Sequence, residues 1–347
     1  MTFVFIFVAV VVAVGLTGWF LSAPVYRGPV TDHFNGKFFF YPDHQSAKGF
    51  SSLLKWFATR KQGPWSKTEH RFTASSPPSR ITDHLRITFV NHSTFLIQFG
   101  GINVLTDPVW SERVSPFSWI GPARMRPPGI MWEDLPPIHL VLLSHNHYDH
   151  LDIGTIRRLN QQHKPLFVAP LGVKAFLSQL QVSDCIEFDW WEGKEVFADV
   201  NITCLPALHF SGRGMFDRDR TLWAGFFLRT KFGNIYFAGD TGYNSTLFKT
   251  IGERCSPIDV SLIPIGAYKP EWFMSPIHCS PDEAVQIHCD VKSRTSIASH
   301  FGSFPLADDS QVDPVEDLSM ALTKMNIKGS FIALEEGRRF ELEKPQL

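Results

Sequence analysis

Ile138-His139-Leu140-Val141-Leu142-Leu143-Ser144-His145-Asn146-His147-Tyr148-Asp149-His150-Leu151-Asp152 is an apolar run that empties into three histidines and an aspartate. Residues 138–143 have the length and aliphatic content of a buried strand. Behind them the spacing is His-x-His-x-Asp-His. A loop leaving a strand can aim several such side chains into one pocket, and imidazole with carboxylate suits zinc and similar divalent ions. A polar loop whose histidines cluster by chance is the ordinary alternative, and the density argues against it.

Strand ends elsewhere supply matching groups. Short β-branched or aromatic runs occupy residues 85–90, 94–99 and 102–105, with Gly100-Gly101 turning the last two. The third ends at Thr106-Asp107-Pro108, which makes Asp107 a candidate carboxylate to hydrogen-bond the histidine loop from behind. Downstream, residues 153–162 read as a helix with Asp152 as its N-cap. Strand 166–169, helix 173–180 and strand 186–188 follow. A hairpin-like region over 195–208 and 222–230 has a first arm that runs into His209. Strand 235–238 runs into Gly239-Asp240-Thr241-Gly242. Helix 245–253, strand 260–265, helix 281–288 and strand 295–298 come next, the last running into Ser299-His300. This alternation predicts an α/β fold, in which strand ends converge on one edge of a sheet.

His209, Asp240 and His300 each sit alone at a strand end, where a lone histidine or a Gly-Asp-Thr-Gly turn is ordinarily structural. Together with the dense loop they complete a two-metal set. His145, His147 and His209 would hold one ion, Asp149, His150 and His300 the other, and Asp240 would bridge them. Two ions ~3.5–4 Å apart can acidify a shared water and clamp a displacement at phosphorus. The expected cofactor is two Zn²⁺ per chain, with Asp149 and Asp240 as catalytic carboxylates.

The N-terminus is of another kind. Residues 3–23 carry no charge, and at ~1.5 Å per residue they would reach about 32 Å, enough for a bilayer core. A signal peptide would want a basic leading region, and no Lys or Arg precedes Arg27. Residues 27–71 hold eight Lys/Arg against three Asp/Glu, so the positive-inside rule puts the catalytic body on the cytoplasmic side. Within them Phe50, Leu53, Leu54 and Phe57 follow helical spacing, either as an interfacial helix or as one packed on the main domain. Ser75-Ser-Pro-Pro-Ser79 reads as a linker. The expected parts are a transmembrane anchor over 1–26, a membrane-proximal basic segment and linker over 27–84, and a catalytic domain over 85–347.

The 347 residues allow an ample core, and a net charge of −1 gives no nucleic-acid footprint. Thirty-one Phe and ten Trp fit a deep core or a lipid-facing groove. Cys185, Cys204, Cys255, Cys279 and Cys289 form no Cys-x-x-Cys pair. His278-Cys279 and His288-Cys289 would be a second zinc site only against the ordinary reading of buried cysteine.

These residues resemble the metallo-β-lactamase superfamily, whose signature is the His-x-His-x-Asp-His loop on an αββα sandwich. Longer strings are more specific: Arg126-Pro-Pro-Gly129, Leu135-Pro-Pro-Ile138, Asp189-Trp-Trp-Glu192, Phe237-Ala-Gly-Asp-Thr-Gly-Tyr243, Ile263-Pro-Ile-Gly-Ala-Tyr268 and Trp272-Phe-Met274. They resemble the N-acyl-phosphatidylethanolamine-hydrolysing phospholipase D family, over roughly residues 85–340. The resemblance implies a di-zinc phosphodiesterase that cleaves N-acyl-phosphatidylethanolamine to N-acylethanolamine and phosphatidic acid. It carries over the seven ligands and makes Tyr148 and His278 substrate-contacting residues. It also allows a homodimer, although no stretch specifies an interface. Three departures stand out: Asn91-His92 replaces Gly-His, His209-Phe210-Ser211-Gly212 is small after the ligand, and the apolar N-terminus resembles membrane-attached bacterial relatives. A phospholipid substrate and a membrane partner are therefore expected. Hydrolysis of another phosphodiester, ester or lactone is the alternative, and a non-enzymatic scaffold would need missing ligands.

Overall fold

The computed structural model describes residues 2–42, 48–68 and 76–343, the first ten as helix backbone only. Helices α1 (Thr2–Leu21) and α2 (Phe50–Thr59) precede a sandwich of two sheets. Strands β1 (Leu85–Asn91), β2 (Thr94–Phe99), β3 (Ile102–Thr106), β4 (Leu140–Leu142), β5 (Leu166–Pro170) and β6 (Cys185–Phe188) form the first sheet. The second holds β7 (Gly193–Phe197), β8 (Val200–Leu205), β9 (Gly225–Thr230), β10 (Gly233–Phe237), β11 (Ile258–Pro264), β12 (Ser293–Ser299) and β13 (Phe331–Ile332). The C-terminal β14 (Arg339–Leu342) returns to the first sheet, giving the orders 14-1-2-3-4-5-6 and 13-12-11-10-9-8-7.

Period-two alternation explains the layering. Ile87, Phe89, Phe95, Ile97, Val104, Leu140, Leu142 and Val168 face the second sheet and share a core with Ile235, Phe237, Val260 and Leu262. The residues between them (Val90, Leu96, Leu105, Val141, Phe167 and Ala169) face outward onto helices α3 (Ile153–Gln162) and α4 (Val173–Gln179). On the far side of the second sheet lie α5 (Ser245–Cys255), α7 (Pro281–Asp290) and α8 (Asp313–Lys324), while the single turn α6 (Glu271–Met274) packs against α2. Strands buried on both faces read as continuous apolar runs, as β4 does. The predicted αββα sandwich is the observed fold. Its helices start where capping dictates: Asp152 accepts from the Gly154 amide, and Ser280 and Glu283 form a capping box.

The N-terminus departs from expectation. Among the described residues no helix is long and apolar enough to cross a membrane. The side chains of residues 2–11 in the expected 1–26 anchor lie outside the described set, as does Ser75 at the start of the linker. The end of α1 is docked: Gly18 is buried, its carbonyl accepts from the Met215 amide at 3.3 Å, and the Ala23 amide donates to Asp217 Oδ2 at 2.8 Å. A Cβ on Gly18 would lie 2.5 Å from the Met215 sulfur. The last turn is thus part of the folded body. Helix α2 resolves its two readings toward packing. Trp56 is buried against Ala267, Phe273, Met274 and Ala307, and its indole donates to Asp308 at 3.1 Å, while Phe50, Leu54 and Phe57 stay exposed.

The segment after α1 is clasped through His33, whose ring nitrogens each lie 2.6 Å from a carboxylate, Asp32 and Asp189, with Trp190 stacked on it at 4.5 Å. Burial opposes its charge, but the two carboxylates outweigh it and raise its pKa above 6.5. A raised folded value means that the clasp contributes fully below the unfolded pKa and is lost as pH rises through the folded one. Hydrogen exchange corrected for intrinsic rates should therefore show residues 26–41 losing protection as pH rises above 6.5, the ordinary histidine value. That trend should be absent in His33→Gln, and its persistence there would rule the clasp out.

Candidate metal centre

One edge of the sandwich collects the chemistry. β3 ends at Asp107, β4 delivers Ser144 to His150, and β8, β10 and β12 run in one direction into the segments carrying His209, Asp240 and His300. The close approach of these loops has a backbone requirement. Gly239 has φ +63°, and a Cβ there would meet Ser144 Cβ at 2.8 Å and the Ala224 carbonyl at 2.9 Å. Asp240 reaches the histidine loop because residue 239 has no side chain.

Two groups of ligand atoms form. In the first, His145 Nε2 lies 2.8 Å and His209 Nε2 3.2 Å from His147 Nδ1. His209 Nδ1 is 2.9 Å from the Ile277 carbonyl, which can only accept, so its proton sits there and Nε2 is bare. His145 Nδ1 is 2.9 Å from Ser144 Oγ, which itself donates to Asp107 Oδ2 at 2.5 Å, so its Nε2 is bare too. Two bare nitrogens thus face a third at which one proton can satisfy only one of them. A cation satisfies all three.

In the second group, His300 Nε2 and His150 Nε2 lie 3.0 and 3.1 Å from Asp240 Oδ2, and each is 3.4 Å from Asp149 Oδ2. His150 Nε2, His300 Nε2 and Asp240 Oδ1 are buried without a hydrogen-bond partner. Asp240 Oδ2 is also 3.7 Å from His209 Nε2, so this carboxylate stands between the two groups. Burial works against charge on Asp240 and Asp149, yet His150 and His300 hold both well below the usual carboxylate range. Reciprocally, against burial, the carboxylates raise His150 well above its ordinary value and His300 to about 9. Protons on these imidazoles occupy the place that a divalent ion would take, and ion binding releases them. Orphaned nitrogens, buried carboxylates and converging imidazoles fit a metal.

Asp107 is buried behind the loop as its sequence position suggested. It accepts from the Ser144 amide at 2.7 Å and lies 2.6 Å from His150 Nδ1, fixing that tautomer. Asp107→Asn should weaken metal binding ~10–100-fold, read by metal retained against graded chelator. Unchanged retention would leave Asp107 as a turn residue only.

A cavity of ≈ 730 Å³ opens over the centre, with His147, Asp149, Asp240, His278 and His300 on its polar side. Its walls include Phe50, Leu53 and Trp56 from α2, together with Phe210, Met215, Phe273, Met274 and Leu306. His278 lies in it as expected, Nδ1 buried and unpartnered and 3.9 Å from Asp240. Tyr148 does not. Its ring packs with Val109, Val114 and Phe304, lies 3.9 Å from the Arg213 guanidinium, and lines a separate cavity of ≈ 360 Å³. Tyr148 thus stands in the metal loop with its ring on Arg213, beside the cavity over the centre and not in its lining. The second zinc site is not formed among the described residues. His288 Nδ1 pairs with Ser296 Oγ at 2.8 Å, Cys279 bonds the Pro264 carbonyl, Cys289 is exposed, and all five cysteines are free.

Several residues of the site escaped the sequence reading. His92, in the β1–β2 turn, lies 3.0 Å from Asp149. The cavity walls Met215 and Arg218 come from an irregular loop with no periodic signal, whereas Phe210 belongs to the string after His209 whose departure stood out.

The comparisons agree with this geometry. The sequence profile described as "Beta-lactamase superfamily domain" matches residues 102–301. The *Caenorhabditis elegans* protein named N-acyl-phosphatidylethanolamine-hydrolyzing phospholipase D 1 is 37% identical over 268 residues, covering 73% of this chain and 75% of that protein. The chain belongs to the N-acyl-phosphatidylethanolamine-hydrolysing phospholipase D family of the metallo-β-lactamase superfamily. A *Saccharomyces cerevisiae* protein of the same name, designated mitochondrial, is 33% identical over 239 residues, covering 67% of this chain and 51% of that protein. Among solved structures, the metallo hydrolase Igni18 of *Ignicoccus hospitalis* shares the fold, with a TM-score of 0.57 at 20% identity over 75% of this chain and 99% of that one. In this phospholipase D family member the candidate metal-binding His/Asp cluster sits at the edge where the superfamily fold gathers its strand ends.

Proposed function

We propose that the chain is a di-zinc phospholipase D that hydrolyses N-acyl-phosphatidylethanolamine to N-acylethanolamine and phosphatidic acid. The observation that carries this reading is the cavity: a polar floor of candidate ligands under walls of Phe, Trp, Met and Leu. Its volume suits a ligand of drug-like or lipid-segment size. His145, His147 and His209 would hold one ion, Asp149, His150 and His300 the other, with Asp240 shared. Bound zinc supplies an acidified water and Lewis-acid neutralisation of phosphate charge.

The chain's own residues do the rest. The reaction adds water across the bond between phosphorus and the N-acylethanolamine oxygen. His278, unpartnered at Nδ1 within the cavity, has a donor position for a phosphate oxygen in its neutral or charged form. The apolar walls take acyl methylenes and keep bulk water out. Lys48 and Arg218, also in the lining, give an anionic diester a favourable approach. A lipid surface as partner is supported by exposed apolar side chains: Phe50 (73%) and Met215 (61%) in the cavity lining, and Trp19 and Phe20, both more than two-thirds exposed, at the end of α1 that docks through Gly18 on Met215.

The test is a product assay on the detergent-solubilised full chain with N-acylated phosphatidylethanolamine, plain phosphatidylethanolamine and a lactone. Preferential release of N-acylethanolamine with about two zinc ions bound per chain is expected. Turnover of the lactone in preference to both lipids would overturn the reading.

A further inference from the structure

The β1–β2 turn has a role that its position in the sequence conceals. His92 is 1% exposed and adopts φ +46°, a left-handed conformation that histidine and asparagine tolerate better than most residues. Its Nε2 lies 3.0 Å from Asp149 Oδ2. A carboxylate oxygen accepts, so the imidazole donates there. Its carbonyl accepts the His300 amide at 2.8 Å, and its own amide donates to Ser303 Oγ at 3.0 Å. Its ring lies 4.1 Å from the His300 ring, with Phe304 edge-on at 5.4 Å. The same turn reaches the Asp107 loop, since Asn91 donates to the Val109 carbonyl and Thr94 to the Asp107 carbonyl.

We propose that His92 is a positioning residue for the half of the metal centre built on Asp149, His150 and His300. Its side chain holds the Asp149 carboxylate in one orientation while its backbone holds the His300 loop in register. His92 is absent from the cavity lining, so it does not touch substrate. His92 falls with Asp149, His150 and His300 in one candidate metal-binding group, and in this geometry its Nε2 is given to Asp149. The other half has equivalent supports in Ser144 for His145 and Ile277 for His209, and Asp107 supports His150. Without His92, Asp149 would, like Asp240, have its orientation set by the candidate ligands and the ions alone.

The inference rests on Asp149 being a metal ligand, and the experiment separates the two claims. His92→Asn keeps a residue suited to the positive φ but too short to reach Asp149. His92→Gln restores a donor at comparable reach. Asp149→Asn tests the ligand itself. The full chain is loaded with Zn²⁺, or with Co²⁺ for its d–d spectrum, and titrated against graded chelator, with thermal melting as the control for folding. In His92→Asn one of the two ions should bind ~10–100-fold more weakly, with a changed Co²⁺ spectrum. His92→Gln should recover most of that loss, and His92→Asn should add little to Asp149→Asn. If Asp149→Asn loses an ion while His92→Asn binds both like the unaltered chain, the positioning role is wrong. Equal weakening in the Asn and Gln variants would assign His92 to packing alone and also overturn it. Full metal retention by Asp149→Asn would instead remove the ligand assignment beneath it.

Discussion

Asp240→Asn should leave a folded protein with activity reduced on the order of 10³-fold or more, the equivalent of ~4 kcal/mol of lost transition-state stabilisation. Asp240 Oδ2 approaches His150, His300 and His209 at 3.1, 3.0 and 3.7 Å. Its Oδ2 thus approaches histidines of both groups. An amide there removes one negative charge and presents a donor or a weaker acceptor to the ions. His150 and His300 hold the buried Asp240 well below the usual carboxylate range, so its charge contributes stability at neutral pH even without metal. The metal-free variant should therefore melt somewhat lower than the metal-free parent while still unfolding cooperatively, since the isosteric amide keeps the packing. Removing that charge also lets His150 and His300 fall back toward neutrality, since Asp240 raises both against the effect of burial. Metal content by elemental analysis should drop alongside activity, and chelator should silence the parent chain until zinc is returned. Full turnover by metal-free protein would sink the metal-centred reading.

Where local chemistry decides, the sequence is legible. The strand at residues 138–143, the helix capped by Asp152 and the helix opened by Ser280-Pro281 follow from periodicity and capping, and all three are present. The histidine loop is legible because four ligand-type side chains in six residues have few other uses. His209, Asp240 and His300 are legible only as a set, because strand ends in an α/β sandwich share an edge. His92 is not legible. It is one histidine in a two-residue turn, and its partner Asp149 lies 57 positions away. The ring direction of Tyr148 is not legible either, because adjacency in the chain does not fix it: the ring packs with Arg213 and Phe304 from two other segments. The β14 strand escaped for a similar reason. Four residues pair with β1 some 250 positions earlier, and no local pattern announces them. The N-terminal run illustrates the limit of composition, which reports that a segment is apolar but not that Gly18 and Ala23 are fastened to the loop carrying Met215 and Asp217.

Leu53→Asp should separate a lipid hydrolase from a hydrolase of small esters. Leu53 projects from α2 into the cavity lining and packs beside Trp56. The helix does not depend on Leu53 for its position: Trp56 and Arg60 bind Asp308, Gln62 reaches the Pro305 and Ala307 carbonyls, and Trp65 donates to the Asp309 carbonyl. A carboxylate at residue 53 would stay hydrated and so keep water in the wall against which acyl methylenes are read to lie. If about four methylenes lose burial at ~0.8 kcal/mol each, ~3 kcal/mol is forfeited. That corresponds to kcat/KM lower on the order of 10²-fold for a long-chain N-acylated lipid. A small soluble phosphodiester, which needs the metal floor but not the wall, should be turned over much as before. The split between the two substrates carries the argument. An equal fall in both would make Leu53 a support of the metal centre, and no change in either would place the acyl chains elsewhere. Leu53→Phe narrows the cavity without charging it, and it should shift preference toward shorter chains while leaving the small diester alone.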